Sequence, residues 1–284
     1  MALPTTGPIS FNDVNAELGL TATATLALGA SSVRGLAGVA SGPISLADLR
    51  GKANEIIFTN TVQRVGASIF SLMGSPAAAG NYVFVNQANI YSTATFALRT
   101  GVFPAGSTLK IINQNYIRGR GGSPAYVNGP SGNSPVVQGF PGGASILLDM
   151  PVSIDNSAGY LWAGGGGGQT ASYGFGFGPN YLLGGGGAGQ NIGISNREPR
   201  YNFNGNNGTL TAGGAAVESS SSSIIWRSGA GGANGIAGSA GYVDPAWYPN
   251  YQPATAGGRA VQRNGHAVTW ISGNNTTRVK GAVS

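Results

Sequence analysis

Gly229-Ala230-Gly231-Gly232-Ala233-Asn234-Gly235-Ile236-Ala237-Gly238-Ser239-Ala240-Gly241 places a glycine at every third position from 229 to 241. Three residues is the period of the extended polyproline II helix. One edge of such a helix would carry no side chain, and a neighbouring backbone could close on it. The spacing recurs upstream at Gly119/Gly122, Gly129/Gly132, Gly139/Gly142, Gly164/Gly167 and Gly184/Gly187, and the unbroken runs 164–168 and 184–187 bare two or three edges at once. Collagen shares the period but needs proline and long runs, whereas 229–241 has no proline and four full triplets. The pattern predicts a bundle of short polyproline II-like strands whose N–H and C=O groups bond between strands. At about 3.1 Å per residue, 229–241 would be one strand roughly 40 Å long.

Working outward, 38 of the 50 glycines lie in 116–284, which is taken as the glycine-rich unit. Richer stretches separate its glycine runs. Residues 169–183 carry Tyr173, Phe175, Phe177 and Tyr181; 190–212 carry Arg197, Arg200, Tyr201 and Phe203; 215–228 carry Trp226; 242–256 carry Tyr242, Trp247, Tyr248 and Tyr251. If the runs are strands, these are loops, and loops on a rigid scaffold commonly carry recognition. Tyr and Trp offer large, rigid, amphipathic contact area and Arg a forked donor, so these thirteen residues are the candidate binding set. Trp247, Tyr248 and Tyr251, flanked by Pro245, Pro249 and Pro253, are expected in a stiffened exposed loop. Tyr160 and Trp162, abutting the 164–168 run, are expected to pack beneath the bundle. The end of the chain, from His266 to Ile271 and then Thr277-Arg278-Val279 across Asn274-Asn275, reads as a closing hairpin.

Residues 55–115 read as β, with Ile56-Ile57-Phe58, Tyr82-Val83-Phe84-Val85, 93–98 and 108–112 rich in β-branched and aromatic residues and punctuated by Gly, Pro and Asn. A small sandwich or β-rich connector is expected. In 1–54, Gly7-Pro8-Ile9-Ser10-Phe11-Asn12-Asp13-Val14 echoes as Gly42-Pro43-Ile44-Ser45-Leu46-Ala47-Asp48-Leu49. Each Ser-x-x-Asp can cap a helix start, with Ile9 and Ile44 placed to staple onto Val14 and Leu49. Two short helices, at 11–18 and 46–50, are predicted, each stopped by glycine (Gly19, Gly51). So small a core favours docking onto a partner. The fold class is thus mostly irregular and β: short N-terminal helices, a small β-rich domain and a C-terminal polyglycine II bundle.

Composition narrows the function. Only 8% of residues are charged, against about 25% in an ordinary soluble domain, yet 41% are hydrophobic, which separates the chain from disordered glycine-rich linkers. The net charge of +6 comes from scattered bases with no nucleic-acid arm. There is no Cys and a single His, His266, so thiolate sites, His clusters and Cys nucleophiles are excluded and no metal or other cofactor is expected. The N-terminus lacks a signal-peptide pattern, consistent with synthesis in a cytoplasm. Glycine-rich GxGxxG-like matches lack a βαβ context, and the serine run 219–223 lacks a base. Asp149 and Asp155 are the one carboxylate pair to weigh as a glycosidase couple, although both read as turn or strand-end residues.

Gly101-Val102-Phe103-Pro104-Ala105-Gly106-Ser107 leading to Asn115-Tyr116-Ile117-Arg118-Gly119-Arg120-Gly121-Gly122, then Tyr160-Leu161-Trp162-Ala163 with the 164–168 glycines, and the ending Asn264-Gly265-His266-Ala267-Val268-Thr269-Trp270, resemble the receptor-recognising tip adhesins of T-even-type phage long tail fibres. The likeness covers about 101–284, while 10–52 resembles N-terminal segments of other tailed-phage fibre and tip proteins. It implies a virion tail protein made in the host cytoplasm, with a fibre-attachment segment at 1–54, a polyglycine II bundle and distal loops that bind a bacterial outer-membrane protein or lipopolysaccharide. A homotrimer or a single copy capping a trimeric shaft is compatible with it. A tail-associated polysaccharide-degrading enzyme and a purely structural tail connector are the alternative readings.

Overall fold

Short apolar segments that end in asparagine set the architecture. In a computed structural model, residues 2–124, 126–127, 136–137, 139–175, 178–182, 185–189, 207–216, 218–221, 224–228, 230–244 and 250–284 are described. Strands Glu55–Asn60, Asn81–Asn86, Thr108–Asn113, Val152–Asp155 and Val268–Ser272 form one parallel sheet. Arg64–Val65, Ile90–Tyr91, Tyr116–Arg118, Tyr160–Trp162 and Val279–Lys280 form a second, and Ala67–Ser68, Phe96–Arg99, Ala144–Leu147, Arg259–Gln262 and Ala282–Val283 a third. The chain visits the three faces in the same order five times. The result is a triangular parallel β-helix of five rungs, each rung stacked only on its neighbours.

Stacked side chains fill the interior. Phe58, Phe84, Ile111, Ile154 and Trp270 share one column of the first face. Ile90, Ile117, Leu161 and Val279 share one on the second, and Ala67, Leu98, Ile146, Val261 and Val283 one on the third. Phe84, Ile111, Ile117, Ile146, Ile154, Leu161 and Leu98 are fully buried, each worth about 1.5–3 kcal/mol relative to exposure. At the corner after the first face runs a buried amide ladder. Asn60 Nδ2 donates to Asn86 Oδ1 (3.0 Å), Asn86 to Asn113 (2.9 Å), Asn113 to Asn156 (2.7 Å) and Asn156 to the Gly273 carbonyl (3.1 Å). Arg64 Nε closes the first end on Asn60 Oδ1 at 2.6 Å. The ladder bonds each buried amide to the rung above, where an isolated one would cost about 1–3 kcal/mol.

This architecture corrects several expectations. Residues 55–113 form no sandwich, because every pairing in these three sheets is parallel, and the sheets run past 115 into strands as late as Ala282–Val283. Val268–Ser272 and Val279–Lys280 are no hairpin but successive strands on two different faces. The 3.6- and 2-residue periods legible in a short window do not reveal a coil whose repeat is a whole rung.

The N-terminal unit has its own core of Leu3, Ile9, Val14, Val33, Leu36, Ala37 and Leu49. Both capping boxes form: Ser10 and Asp13 exchange bonds at the start of helix Phe11–Glu17, and Ser45 and Asp48 at the start of Leu46–Leu49. The second element is a single 3-10 turn. A further helix, Ser31–Ala37, has no side-chain cap and contains Gly35, so its propensity is low. Burial of Val33 and Leu36 holds it instead.

On the third face Asp149 accepts from Arg99 through two bonds (2.6 and 2.8 Å) and from the Gly101 amide (2.9 Å). The Arg99 hydrogen bond is the largest influence holding its carboxyl below the usual carboxylate range, against the opposing effect of burial. A depressed carboxylate stabilises the fold above its unfolded value, near about 3.9, and that stability fades as pH falls through the folded value. Asp149→Asn is expected to cost about 1–2 kcal/mol at neutral pH. The gap between the two proteins in thermal melts should close as the pH is lowered from about 4; a gap unchanged across that range would contradict the assignment.

Candidate functional site

Two excursions leave the β-helix at the same corner, between the second and third faces. One follows Tyr116–Arg118 and rejoins at Ala144–Leu147; the other follows Tyr160–Trp162 and rejoins at Arg259–Gln262. Their glycine segments lie against one another outside any helix or pleated strand. The amides of Gly164, Gly165, Gly166 and Gly168 donate to the carbonyls of Gly143, Ala188, Ile236 and Gly185 at 2.7–2.9 Å, while the Gly167 amide meets Thr255 Oγ1. In a pleated strand, successive amides alternate between two neighbours. Here consecutive residues reach several separate segments. The bonding continues from Gly122 to Gly165, Gly187 to Gly122, Gly232 to Gly166, Gly214 to Gly186 and Gly231 to Gly214. Residues 163–168 and 185–189 are all buried, and a Cβ on Gly142, Gly165, Gly187, Gly231 or Gly238 would land on a neighbouring carbonyl.

The triplet run is not one long strand. Ile236 N–H bonds the Ala233 carbonyl (2.9 Å) and Ser239 N–H the Ala230 carbonyl (2.8 Å), with Gly235 at φ +73°, so the segment folds back at Asn234-Gly235. A left-handed turn residue interrupts a period that by itself says nothing about length.

Between the glycine segments stand two three-stranded antiparallel sheets, Thr170–Phe175, Gly178–Leu182 and Asn250–Gln252 in one, Glu218–Ser221, Ile224–Arg227 and Tyr242–Asp244 in the other, while Tyr126–Val127 and Val136–Val137 pair antiparallel within the first excursion. Six candidate binding residues therefore lie on strands rather than in open loops. Tyr173 is opposite Asn180, Phe175 opposite Gly178, Tyr181 opposite Ser172 and Tyr251 opposite Ala171. Trp226 sits between Ser219 and Val243, and Tyr242 opposite Arg227. Phe177, Arg197, Arg200, Tyr201, Phe203, Trp247 and Tyr248 lie outside the described residues. Alternation within 170–175 and 178–182 around Gly and Pro was the available strand signal, masked by the glycines.

Tyr160 and Trp162 do not pack beneath the glycine array. They are half-buried on the outer side of the second face, where Tyr160 stacks on Tyr116 (4.6 Å, 12°) and Trp162 meets both edge-on. Arg118 lies 3.9 Å over Tyr116 and Lys280 4.2 Å over Trp162. Rung register, invisible in the sequence, brings these residues together.

The carboxylate pair is not arranged for glycoside hydrolysis. Asp149 is held by Arg99, and Asp155 accepts from the Ser157 amide at 3.0 Å, the main cause of its own lowered carboxyl. A glycosidase needs one of the two raised so that it carries a proton.

The family model described as phage tail fibre adhesin Gp38 matches residues 53–283. The chain belongs to the phage tail fibre adhesin Gp38 family. No curated protein matches it. Among solved structures it is similar to the crystal structure of the gp37-gp38 adhesin tip complex of the bacteriophage S16 long tail fiber, with a TM-score of 0.57 and 22% identity over 99% of this chain and 100% of that chain. At that identity the likeness concerns the fold. Membership in the Gp38 adhesin family makes this a bacteriophage tail fibre protein, located in the virion tail and adhesive rather than catalytic in type.

Proposed function

We propose that this adhesin recognises the host by binding an outer-membrane receptor, protein or lipopolysaccharide, through the segments that its glycine array holds out. The array is read as a polyglycine II bundle, and residues 1–54 as the attachment to another phage fibre protein. The observation that carries the reading is the bonding of Gly164 to Gly168 to four different segments, around Gly143, 185–188, Ile236 and Thr255. Such a mount fixes the roots of both three-stranded sheets almost wholly through backbone bonds, and a rigid mount lowers the ordering cost of binding. Tyr173, Phe175, Tyr181, Trp226, Tyr242 and Tyr251 supply the residue types that dominate binding hot spots.

Exposed Ile56, Ile57, Val62 and Val65 on the first rung, next to the N-terminal unit, support attachment at that end. One chain closes all three faces, which favours a single copy ending a fibre over a homotrimer. Synthesis in the host cytoplasm, ahead of virion assembly, completes the reading.

The test is adsorption. Tyr173→Ala, Trp226→Ala and Tyr251→Ala combined are expected to reduce binding to host cells by at least about tenfold, the scale of one or more lost hot spots, with the β-helix melting unchanged. Exchange of 169–183 and 242–256 with those of a related phage should move host range. Full adsorption by the triple variant, or unaltered host range after exchange, would overturn the assignment of these segments.

A further inference from the structure

A cleft of about 370 Å³ opens on the flank of the molecule, where the third face of the β-helix meets the glycine array. Thr95, Arg120, Phe140, Gly143, Arg259 and Gln262 are among its lining residues, and among the described residues no Asp or Glu lines it. Its size falls within the range of small-molecule sites, about 300–1,000 Å³. It lies at the corner where both excursions leave and rejoin, and no residue of the two three-stranded antiparallel sheets is among its lining.

Two guanidinium groups share this cleft without an acidic partner. Arg120 is half-buried, its Nε is sealed from solvent with no hydrogen-bond partner, and its Cζ lies 5.1 Å from the centre of the Phe140 ring. Arg259 is exposed. Among the described residues neither side chain is seen to donate a hydrogen bond or join an ion pair. Of the other arginines of the β-helix, Arg64 bonds Asn60, Arg99 bonds Asp149, Arg263 the His266 carbonyl and Arg278 the Gly159 carbonyl, while Arg118, whose Nε is likewise buried without a hydrogen bond, lies over the Tyr116 ring and outside the cleft. Two like charges facing one cavity, one of them partly desolvated, create a positive potential that an anion would neutralise. A forked guanidinium matches the paired oxygens of a phosphate.

The remaining lining points to a sugar. Phe140 is 52% exposed, and its ring presents an apolar face to the C–H face of a pyranose. The Gln262 amide and the Thr95 hydroxyl can each donate and accept, as sugar hydroxyls require. The glycine floor, Gly142, Gly143, Gly257 and Gly258, allows a ligand to approach the backbone closely. We propose that this flank cleft binds a phosphorylated sugar, with Arg120 and Arg259 on the phosphate, Phe140 beneath the ring and Gln262 on a hydroxyl. It would be a second contact with a bacterial envelope, distinct from the two three-stranded antiparallel sheets. Two linked weak contacts gain avidity when geometry lets both engage.

Calorimetric titration of the full chain tests the site with three probes: a phosphorylated core oligosaccharide released from host lipopolysaccharide, the same oligosaccharide after removal of its phosphates, and inorganic phosphate. The phosphorylated oligosaccharide is expected to bind at least about tenfold more tightly than either other probe. Arg259→Gln and Arg120→Gln should each weaken it by at least about fivefold, and Phe140→Ala should do the same without affecting inorganic phosphate. Arg259 is exposed, so its variant keeps the test intact if Arg120→Gln does not fold. Equal binding of the dephosphorylated oligosaccharide, inorganic phosphate binding as tightly as the sugar, or wild-type affinity in Arg259→Gln would overturn the proposal. None of these outcomes bears on adsorption through the antiparallel sheets.

Discussion

Replacing Gly164 by alanine is expected to be the most damaging single-methyl change in the molecule. The Gly164 amide donates to the Gly143 carbonyl (2.9 Å), and its own carbonyl receives Gly258 N–H (2.7 Å) and Gly235 N–H (3.4 Å). A Cβ at this position would land on the Arg120 carbonyl and approach the Gly143 nitrogen to 3.0 Å. Every obstructing atom is backbone, and that backbone is bonded on to Arg120 through Gly143 N–H. No rotamer change relieves the clash. Overpacking of ordinary cores costs about 1–3 kcal/mol; here the segments must separate and orphan their amides, so a loss above about 3 kcal/mol is expected. In thermal melts that corresponds to a drop of about 10 °C. Gly35→Ala is the control: it lies in a helix with nothing near the added methyl and should gain up to about 1 kcal/mol. A Gly164→Ala melt within about 2 °C of wild type would contradict close backbone packing in the array.

Asn113→Ala is expected to be the costliest substitution in the β-helix corner. Asn113 accepts from Asn86, donates to Asn156 and reaches the Tyr160 carbonyl at 3.3 Å. Its loss leaves a buried donor below (Asn86) and a buried acceptor above (Asn156), each worth about 1–3 kcal/mol, and adds a cavity. A total of about 2–4 kcal/mol in denaturant titrations is expected, with the denaturant slope retained. Gln114→Ala is the matched comparison, since Gln114 makes a similar bond to Gln87 (3.1 Å) at an exposed position. Exposure lets water replace that bond, so the change should stay within about 0.5 kcal/mol. Equal effects at the two sites would show that the ladder adds nothing beyond local contacts.

The same asparagines show where sequence reading stopped. Glu55–Asn60, Asn81–Asn86 and Thr108–Asn113 each end in asparagine after a short apolar run, and their asparagines lie 26 and 27 residues apart. That repeat was present but broke early: the next interval is 43 residues, because the first glycine excursion intervenes, and in the fifth rung a Gly273 carbonyl replaces the side chain. The Ser-x-x-Asp caps were legible because a cap is local chemistry. The glycine rule was legible too, as close approach needs the absence of Cβ, but where segments turn depends on single left-handed residues such as Gly235. The cleft residues Arg120, Phe140 and Arg259 were not legible. Nothing in the sequence pairs positions that far apart until the rungs are counted.

The second excursion begins and ends within one corner. Ala163 N–H bonds the Lys280 carbonyl at 2.9 Å, and Gly258 N–H bonds Gly164 at 2.7 Å, so the entry and exit of everything between them are pinned side by side. Closing a loop costs little more as it lengthens, and insertions are tolerated where their ends are close together. The stretch between these pins is therefore a single insertion between two strands of the fourth rung, and the register of the rungs is set by pairings outside it. The fifth rung follows this insertion in the chain and pairs with strands on both sides of it, Tyr160–Trp162 before and Arg259–Gln262 after, so the end of the chain straps the two ends of the insertion together.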